Sequence, residues 1–363
     1  MEIYRYTGEQ VICIKAYVPE RERNYEKIYS RTYCPADIIL ILSLQFFQPS
    51  DGGNGGGNEP AEVKWPTTPV SLIVAAKAGG GNDLTARALL EGLADYGNFG
   101  VVNNTDGAGA VAFEQVKSTD PKLVNNLLYY NSGIYTAYWT GVTDINPIED
   151  LTPIFTMTNT STSYYLIVPK NSPFNTLEDL VNFAKEHPGE LKCGANIGDL
   201  AHTYIGSAQK ILGIDWSYAS TGSDADRIGL IMGNNLDVTA INAVQLQQYY
   251  DADEVKVLCC IHNRSALVNE KLGAVPTLEE LGYENVPLLI SHVVFGPKDM
   301  DEAVARKINE IFNDVTSREG FIKTMAEMTA TYESAGDLEA CRAAMEADFN
   351  TFGEVCKELG LSK

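Results

Sequence analysis

With 363 residues, 45% hydrophobic and 21% charged, the chain has enough apolar content for about two globular domains, which sets aside disordered, collagen-like and small disulfide-stapled classes. The formal net charge is −21, from 48 acidic against 27 basic side chains, with nearly all of the excess beyond residue 64. A field of that sign repels polyphosphate and anionic lipid, so nucleic acid and anionic membrane surfaces are poor partners, and an anionic ligand must be captured by local groups.

The first 64 residues do not match the rest. Lys15, Arg21, Arg23, Lys27 and Arg31 precede an apolar run at 38–47, and a Gly/Asn-rich stretch follows at 50–63. That order of parts is that of an export signal and a flexible tether, and the run is too short to span a bilayer. No small-x-small cleavage site follows it, and no cysteine stands where a lipid anchor attaches. Two readings stay open, an atypical export signal or an irregular extension, and in both the fold begins at residue 65.

From Trp65 the pattern is periodic. Residues 70–76 read as a buried strand, followed by a helix capped by Asn82 or Asp83 in which Leu84, Ala88, Leu89 and Leu93 share a face. A strand at 99–103, a helix at 108–117 and a strand at 126–131 complete a first block. A second block alternates strand 164–169, helix 176–186, strand 191–195, helix 199–212, strand 216–219, helix 224–232 and strands 236–241 and 255–261. One more strand at 288–295 leads into helices at 301–316 and 318–328. The last helix, opened by Asp337 and ended by Gly360, spaces Leu338, Cys341, Met345, Phe349, Phe352, Val355 and Leu359 by threes and fours. Two blocks of strand–helix alternation predict two α/β domains, each a parallel sheet covered by helices on both faces.

Open α/β sheets bind ligands in loops at the carboxyl ends of their strands, and four such loops stand out. KAGGGND, 77–83, joins the first strand to its helix. Its glycines let the backbone approach a ligand, and the helix start favours an anion by roughly 0.3–2 kcal/mol; the alternative is a tight turn. It is not a P-loop, because no G-K-[ST] follows. DGAGAVA, 106–112, matches a dinucleotide fingerprint in isolation, but the next strand ends without the acid that would hold a ribose. NSGIYT, 131–136, and the pair GANIGDLAH, 194–202, and ASTGSDAD, 219–226, offer hydroxyl, amide and glycine groups suited to hydrogen bonding. Lys77, just ahead of the glycine loop, is either a local attractor for a carboxylate or a solvated surface lysine.

Nothing in the sequence assembles a nucleophile, base and orienting group. There is no G-x-S-x-G, His202 reads as a capping or wall residue, and Asp224 and Asp226 read as helix-start carboxylates. Four histidines lack ligand spacing, so no metal is expected. Seven cysteines form no C-x-x-C pair, and Cys259 and Cys260 read as core.

The ordered set of motifs resembles one family. WPTTPVSLIVAAKAGGGNDLTARALLEGL, with Asp83 and Arg87, is similar to the opening of the tripartite tricarboxylate transporter substrate-binding receptors, the Bug receptors. NNTDGAGAVAFEQV is similar to their second signature, with Asp106 in place of a Pro and Ala110 in place of a Gly. LIVPKNSPFNTLEDLVNFAKEHPGELKCG, WSYASTGSDADRIGLIMGNNLDV and AVPTLEELGY resemble later segments, so the likeness runs over 65–363 in order. It implies a type II periplasmic-binding-protein fold, two α/β lobes joined by two crossing strands: 65–163 with 290–363, and 164–289. It implies no cofactor and no catalysis. The implied ligand is a small carboxylate: a di- or tricarboxylate, an acidic amino acid or an aromatic acid. Lys77, the residue added by the charge argument, then stands beside one implied wall, formed by Ala78, Gly79, Gly80, Gly81, Asn82 and Asp83 with Asn131 and Ser132. Ile197, Gly198, His202, Thr221, Gly222 and Ser223 form the other. Implied partners are the transporter's membrane subunits, and the implied location is extracytoplasmic. Two other classes remain open, a receptor presenting ligand to a sensor kinase and, less favoured, an enzyme on the same scaffold.

Overall fold

The structure, a computed structural model of the chain, describes residues 63–363 apart from 162, 196, 197 and 329, all within a unit spanning Pro60–Lys363. The signal-like run and nearly all of the tether lie outside the described residues.

Strand β1 (Val70–Val74), helix α1 (Gly81–Leu93), β2 (Phe99–Asn103), α2 (Ala110–Lys117), β3 (Asn126–Asn131), α3 (Gly133–Trp139) and β4 (Leu151–Asn159) form the first run. Next come β5 (Tyr164–Pro169), α4 (Leu177–Glu186), β6 (Lys192–Ala195), α5 (Leu200–Leu212), β7 (Ser217–Ser220), α6 (Asp224–Met232), β8 (Val238–Asn242), α7 (Ala243–Asp251), β9 (Val255–Cys260) and α8 (Glu270–Gly273). The chain ends with β10 (Ser291–Pro297), α9 (Glu302–Ser317), α10 (Glu319–Glu327), β11 (Tyr332–Ser334) and α11 (Leu338–Glu358).

These strands make two sheets, ordered β11-β4-β10-β3-β1-β2 and β7-β6-β8-β5-β9. The chain passes from the first sheet to the second after β4 and returns before β10. The two passages touch where the Asn159 N–H donates to the Ile290 carbonyl at 2.8 Å. Neither sheet is wholly parallel, which corrects the expectation from strand–helix alternation. β1 pairs in parallel with β2 and β3, and β6 with β7 and β8, but β10 and β5 run antiparallel to both of their neighbours. Apolar runs reveal burial, not direction, and β10, buried along its whole length, looks the same either way.

β4 escapes sequence detection because Pro153 sits inside it. The ladder accommodates the proline with an irregularity: Val294 pairs with Phe155 and Phe295 with Pro153, which skips Ile154. α3 escapes for another reason. Its sequence, GIYTAYW, is rich in strand-forming residues, and burial of Ile134, Tyr135 and Ala137 makes it helical. Two further corrections concern α1. Its N-cap is Gly80, not Asn82 or Asp83, and Leu84 is exposed while Ala86, Leu89 and Leu93 are buried.

α11 lies along the first sheet and reaches the second. Met345, Phe349 and Phe352 are buried, with the rings of Phe349 and Phe352 against Tyr135 of α3. Beyond them Lys210 of α5 pairs with Glu358. Among the described residues no helix is long and apolar enough to cross a membrane.

Candidate functional site

The first glycine loop is fastened by a single carboxylate. Asp83, three residues into α1 and 1% exposed, accepts hydrogen bonds from the Gly79 N–H at 2.8 Å, Arg87 Nε at 2.9 Å and Asn103 Nδ2 at 3.0 Å. Asn103, at the end of β2, also donates to the Ala76 carbonyl at 3.0 Å. The hydrogen bond from Arg87, helped by Gly79 and Asn103, outweighs burial and holds the Asp83 carboxyl down at about 2. Gly79 has φ +80°, where a side chain would be strained, and Gly80 N–H closes the turn onto the Lys77 carbonyl at 3.1 Å. Both Asp83 oxygens are thus committed to shaping the loop.

That leaves the end of α1 open. No side chain caps it, so the first-turn N–H groups of Gly81, Asn82 and Asp83 have no acceptor within the helix, and the helix dipole adds positive potential there. By contrast Thr176, Asp199, Ser223 and Asn242 cap α4, α5, α6 and α7. The Asn82 side-chain oxygen is buried without a partner. Lys77 and Ala78 are exposed at the loop rim. Asn131 holds the next turn, its Oδ1 accepting from the Gly133 N–H at 2.9 Å. Ser132 is fully buried and tied to the returning chain: its N–H donates to the Ser291 carbonyl at 2.8 Å, and its hydroxyl accepts from the Ser291 N–H at 3.0 Å.

On the second sheet, Gly198 has φ +85°, and its N–H donates to His202 Nδ1 at 3.1 Å. His202 is buried edge-on against Tyr218, with ring centroids 4.4 Å apart, and burial lowers its pKa. A neutral ring accepting through Nδ1 props the loop from behind. Ile197 lies outside the described residues. The loop after β7 is held by Arg227, a buried side chain that the sequence reading passed over. Its Nη1 donates to the Gly222 carbonyl at 3.0 Å, and its Nη2 pairs with Asp224. Ser223 and Asp226 form a reciprocal capping box. Thr221 is buried, and its hydroxyl has no partner.

One hydrogen bond and two electrostatic interactions link these loops. Thr140 Oγ1, just past α3, donates to the Gly198 carbonyl at 3.1 Å. Lys77 lies near enough to Asp226 to stabilise its carboxylate. The Tyr130 phenol, at the end of β3, is pushed up to about 12 by burial and by the Asp199 carboxylate. The structure therefore brings Thr140 onto the Gly198 turn, with Lys77 within electrostatic reach of Asp226 at the α6 start and Tyr130 within reach of Asp199. Tyr130 carried no signal in the sequence beyond its place at a strand's carboxyl end. Among the described residues no group of three or more His, Cys, Asp or Glu side chains is placed to hold a metal, and Cys193, Cys259, Cys260, Cys341 and Cys356 are buried and unpaired.

Two mixed sheets joined by two passages, with helix starts and glycine loops across the gap, are the architecture of periplasmic binding proteins. The solved structure of the periplasmic binding protein BugD superposes with a TM-score of 0.68 at 21% identity, covering 82% of this chain and 100% of that one. The adipate-bound R. palustris Rpa4515 superposes at 0.69 with 20% identity, over 82% and 99% of the two chains. In sequence, a UPF0065 protein of Bordetella pertussis is 26% identical over 306 residues, 82% of this chain and 91% of the relative. The profile of the tripartite tricarboxylate transporter family receptor matches residues 85–361, and the chain belongs to that family.

Proposed function

We propose that the protein is an extracytoplasmic receptor that binds a small carboxylate between two lobes, 65–163 with 290–363 and 164–289, and delivers it to the membrane subunits of a tripartite tricarboxylate-type transporter. It acts by binding and needs no cofactor. The observation that carries this reading is the open α1 start: donors locked in place by Asp83, uncapped, and facing loops of the other sheet. Such a site binds an anion without a full positive charge, which suits a chain of net charge −21. Lys77 adds a local attraction, Ala78, Gly81, Asn82 and Asn131 contribute main-chain or amide groups, and Gly79 and Gly80, whose N–H groups close the turn, shape the wall. Gly198, Thr221, Gly222 and Ser223 close the opposite wall, with His202 supporting it. Adipate in the related structure is consistent in chemical class. A ligand contacting both walls stabilises the closed arrangement, because only there are both sets of contacts made.

The test is a thermal-shift screen of the full chain against mono-, di- and tricarboxylates and amino acids. A hundredfold excess over Kd adds about 2.7 kcal/mol and raises the midpoint by a few degrees. Saturable stabilisation by one acid is the expected result, and none across the panel would sink the reading.

A further inference from the structure

We propose, building on the receptor reading, that His202 is a positioning residue that ties ligand binding to pH: as a neutral ring its Nδ1 holds the Gly198 turn against Thr140, and once protonated that nitrogen becomes a donor and lets the turn go. The Gly198 peptide is held at both ends. Its N–H donates to His202 Nδ1 at 3.1 Å, and its carbonyl accepts from Thr140 Oγ1 at 3.1 Å. Thr140 follows α3 of the first sheet, so at this peptide a side chain from one sheet bonds the main chain of the other sheet's wall. The two bonds are unequal. The Thr140 hydroxyl has one proton and shares it with the Thr136 carbonyl, which is nearer at 2.8 Å, so the His202 bond is the one that fixes the turn.

Accepting at Nδ1 requires the ring proton to sit on Nε2. A second proton sets N–H against N–H, and the attraction becomes a repulsion. The ring has little freedom to turn aside. Its backbone N–H is held by Asp199 Oδ1 at 3.1 Å in the α5 cap, and the Tyr218 ring packs edge-on against it with centroids 4.4 Å apart. Gly198 is the part that yields, since at φ +85° its backbone lies in a region that glycine enters and leaves freely. Protons have a way in. With Gly206, Gln209, Lys210, Tyr218 and Glu358, His202 lines a cavity of about 350 Å³ bounded by α5, β7 and the end of α11. The charged and titratable groups around the ring are engaged with the protein: Lys210 pairs with Glu358, the Tyr218 hydroxyl donates to Gln209 Oε1 at 2.6 Å, and Asp199 forms the cap. Burial lowers the ring's pKa below the ordinary 6.5, so the neutral, turn-holding form prevails at pH 7 and above and is lost in mild acid.

Nuclear magnetic resonance of the isotope-labelled full chain reads the switch without any ligand. At neutral pH the His202 ring is expected as the Nε2–H tautomer, and on acidification the Gly198 amide signal should move with the ring's own midpoint. In His202→Asn, whose Oδ1 stands where Nδ1 stood and does not titrate, the Gly198 signal should hold still. Calorimetric titration with the carboxylates of the thermal-shift screen, adipate, malate and citrate among them, reads the consequence. One pH unit below the ring's midpoint, the parent chain is expected to lose at least about fivefold more affinity than His202→Asn loses over the same interval. His202→Leu, which fills the space without an acceptor, should bind more weakly than His202→Asn at neutral pH. A ring that does not titrate above about pH 5, a Gly198 amide indifferent to it, or the same pH dependence in the parent and His202→Asn would overturn the assignment while leaving the receptor reading intact. Binding of no carboxylate at any pH would remove both.

Discussion

Asp83 shows how a loop is shaped by a carboxylate whose two oxygens are spent on the protein's own donors. Its carboxylate ties Gly79, Arg87 and Asn103 together, so Asp83→Ala removes three hydrogen bonds to a charged acceptor. The expected loss is about 2–3 kcal/mol of stability, read by urea unfolding, with affinity falling at least about tenfold. Gly81→Pro separates binding from folding. Residue 81 is the first of α1, where proline is tolerated, and Gly80 before it is already extended at φ −80°, ψ 167°. A Cβ at Gly81 meets nothing within 4 Å. The variant should unfold at the same denaturant concentration yet bind a carboxylate about tenfold or more weakly, since one N–H to a charged acceptor is gone. Lys77 is exposed, so Lys77→Ala should weaken an anionic ligand without changing stability; an unchanged Kd returns it to the solvated surface. The glycine turn between β1 and α1 was legible in the sequence. Its division of labour was not, because it depends on Asn103, which only the β1–β2 pairing brings to Asp83.

Among the elements, legibility followed local chemistry. Helix α6 and strands β2, β3 and β5 fall on the residues that their apolar spacing marks, and the caps at Thr176, Asp199, Ser223 and Asp337 sit where side-chain chemistry places them. α3, β4 and the short β11 needed tertiary contacts to exist, so no local pattern announced them. α11 makes a sharp prediction of its own. A Cβ at Gly353 would lie 2.6–2.9 Å from the Trp139 indole, which is held by its Nε1–H bond to the Phe349 carbonyl at 2.9 Å and by packing at a tilt against the Phe349 ring. The indole has no easy retreat, so the crowding outweighs alanine's better helix propensity. Gly353→Ala should destabilise by about 1–2 kcal/mol, and a rise in the thermal midpoint would show that the indole gives way.

At the scale of the whole molecule, composition and strand–helix alternation announced an α/β protein with two sheets, while the antiparallel β5 and β10 could be seen only in the assembled sheets. Burial also sets an acid limit. His262 and His292 are buried, with pKa values lowered by that burial to about 4 and about 3. Both stay neutral in the fold while the unfolded chain protonates near 6.5, so stability is full above that pH and is lost as pH falls toward 4. Each histidine contributes about 1.4 kcal/mol per pH unit over that window. Thermal midpoints should fall steadily below about pH 6.5, and His262→Gln should make that fall shallower; a flat profile would contradict the burial assigned to both rings. The most direct test of the central claim is calorimetric titration of the full chain and of Gly81→Pro with whichever acid stabilises the protein. A single saturable site in the parent chain, weakened about tenfold or more in an equally stable variant, is the result predicted by an anion held at the open start of α1. Equal affinity in the two proteins would place the ligand elsewhere.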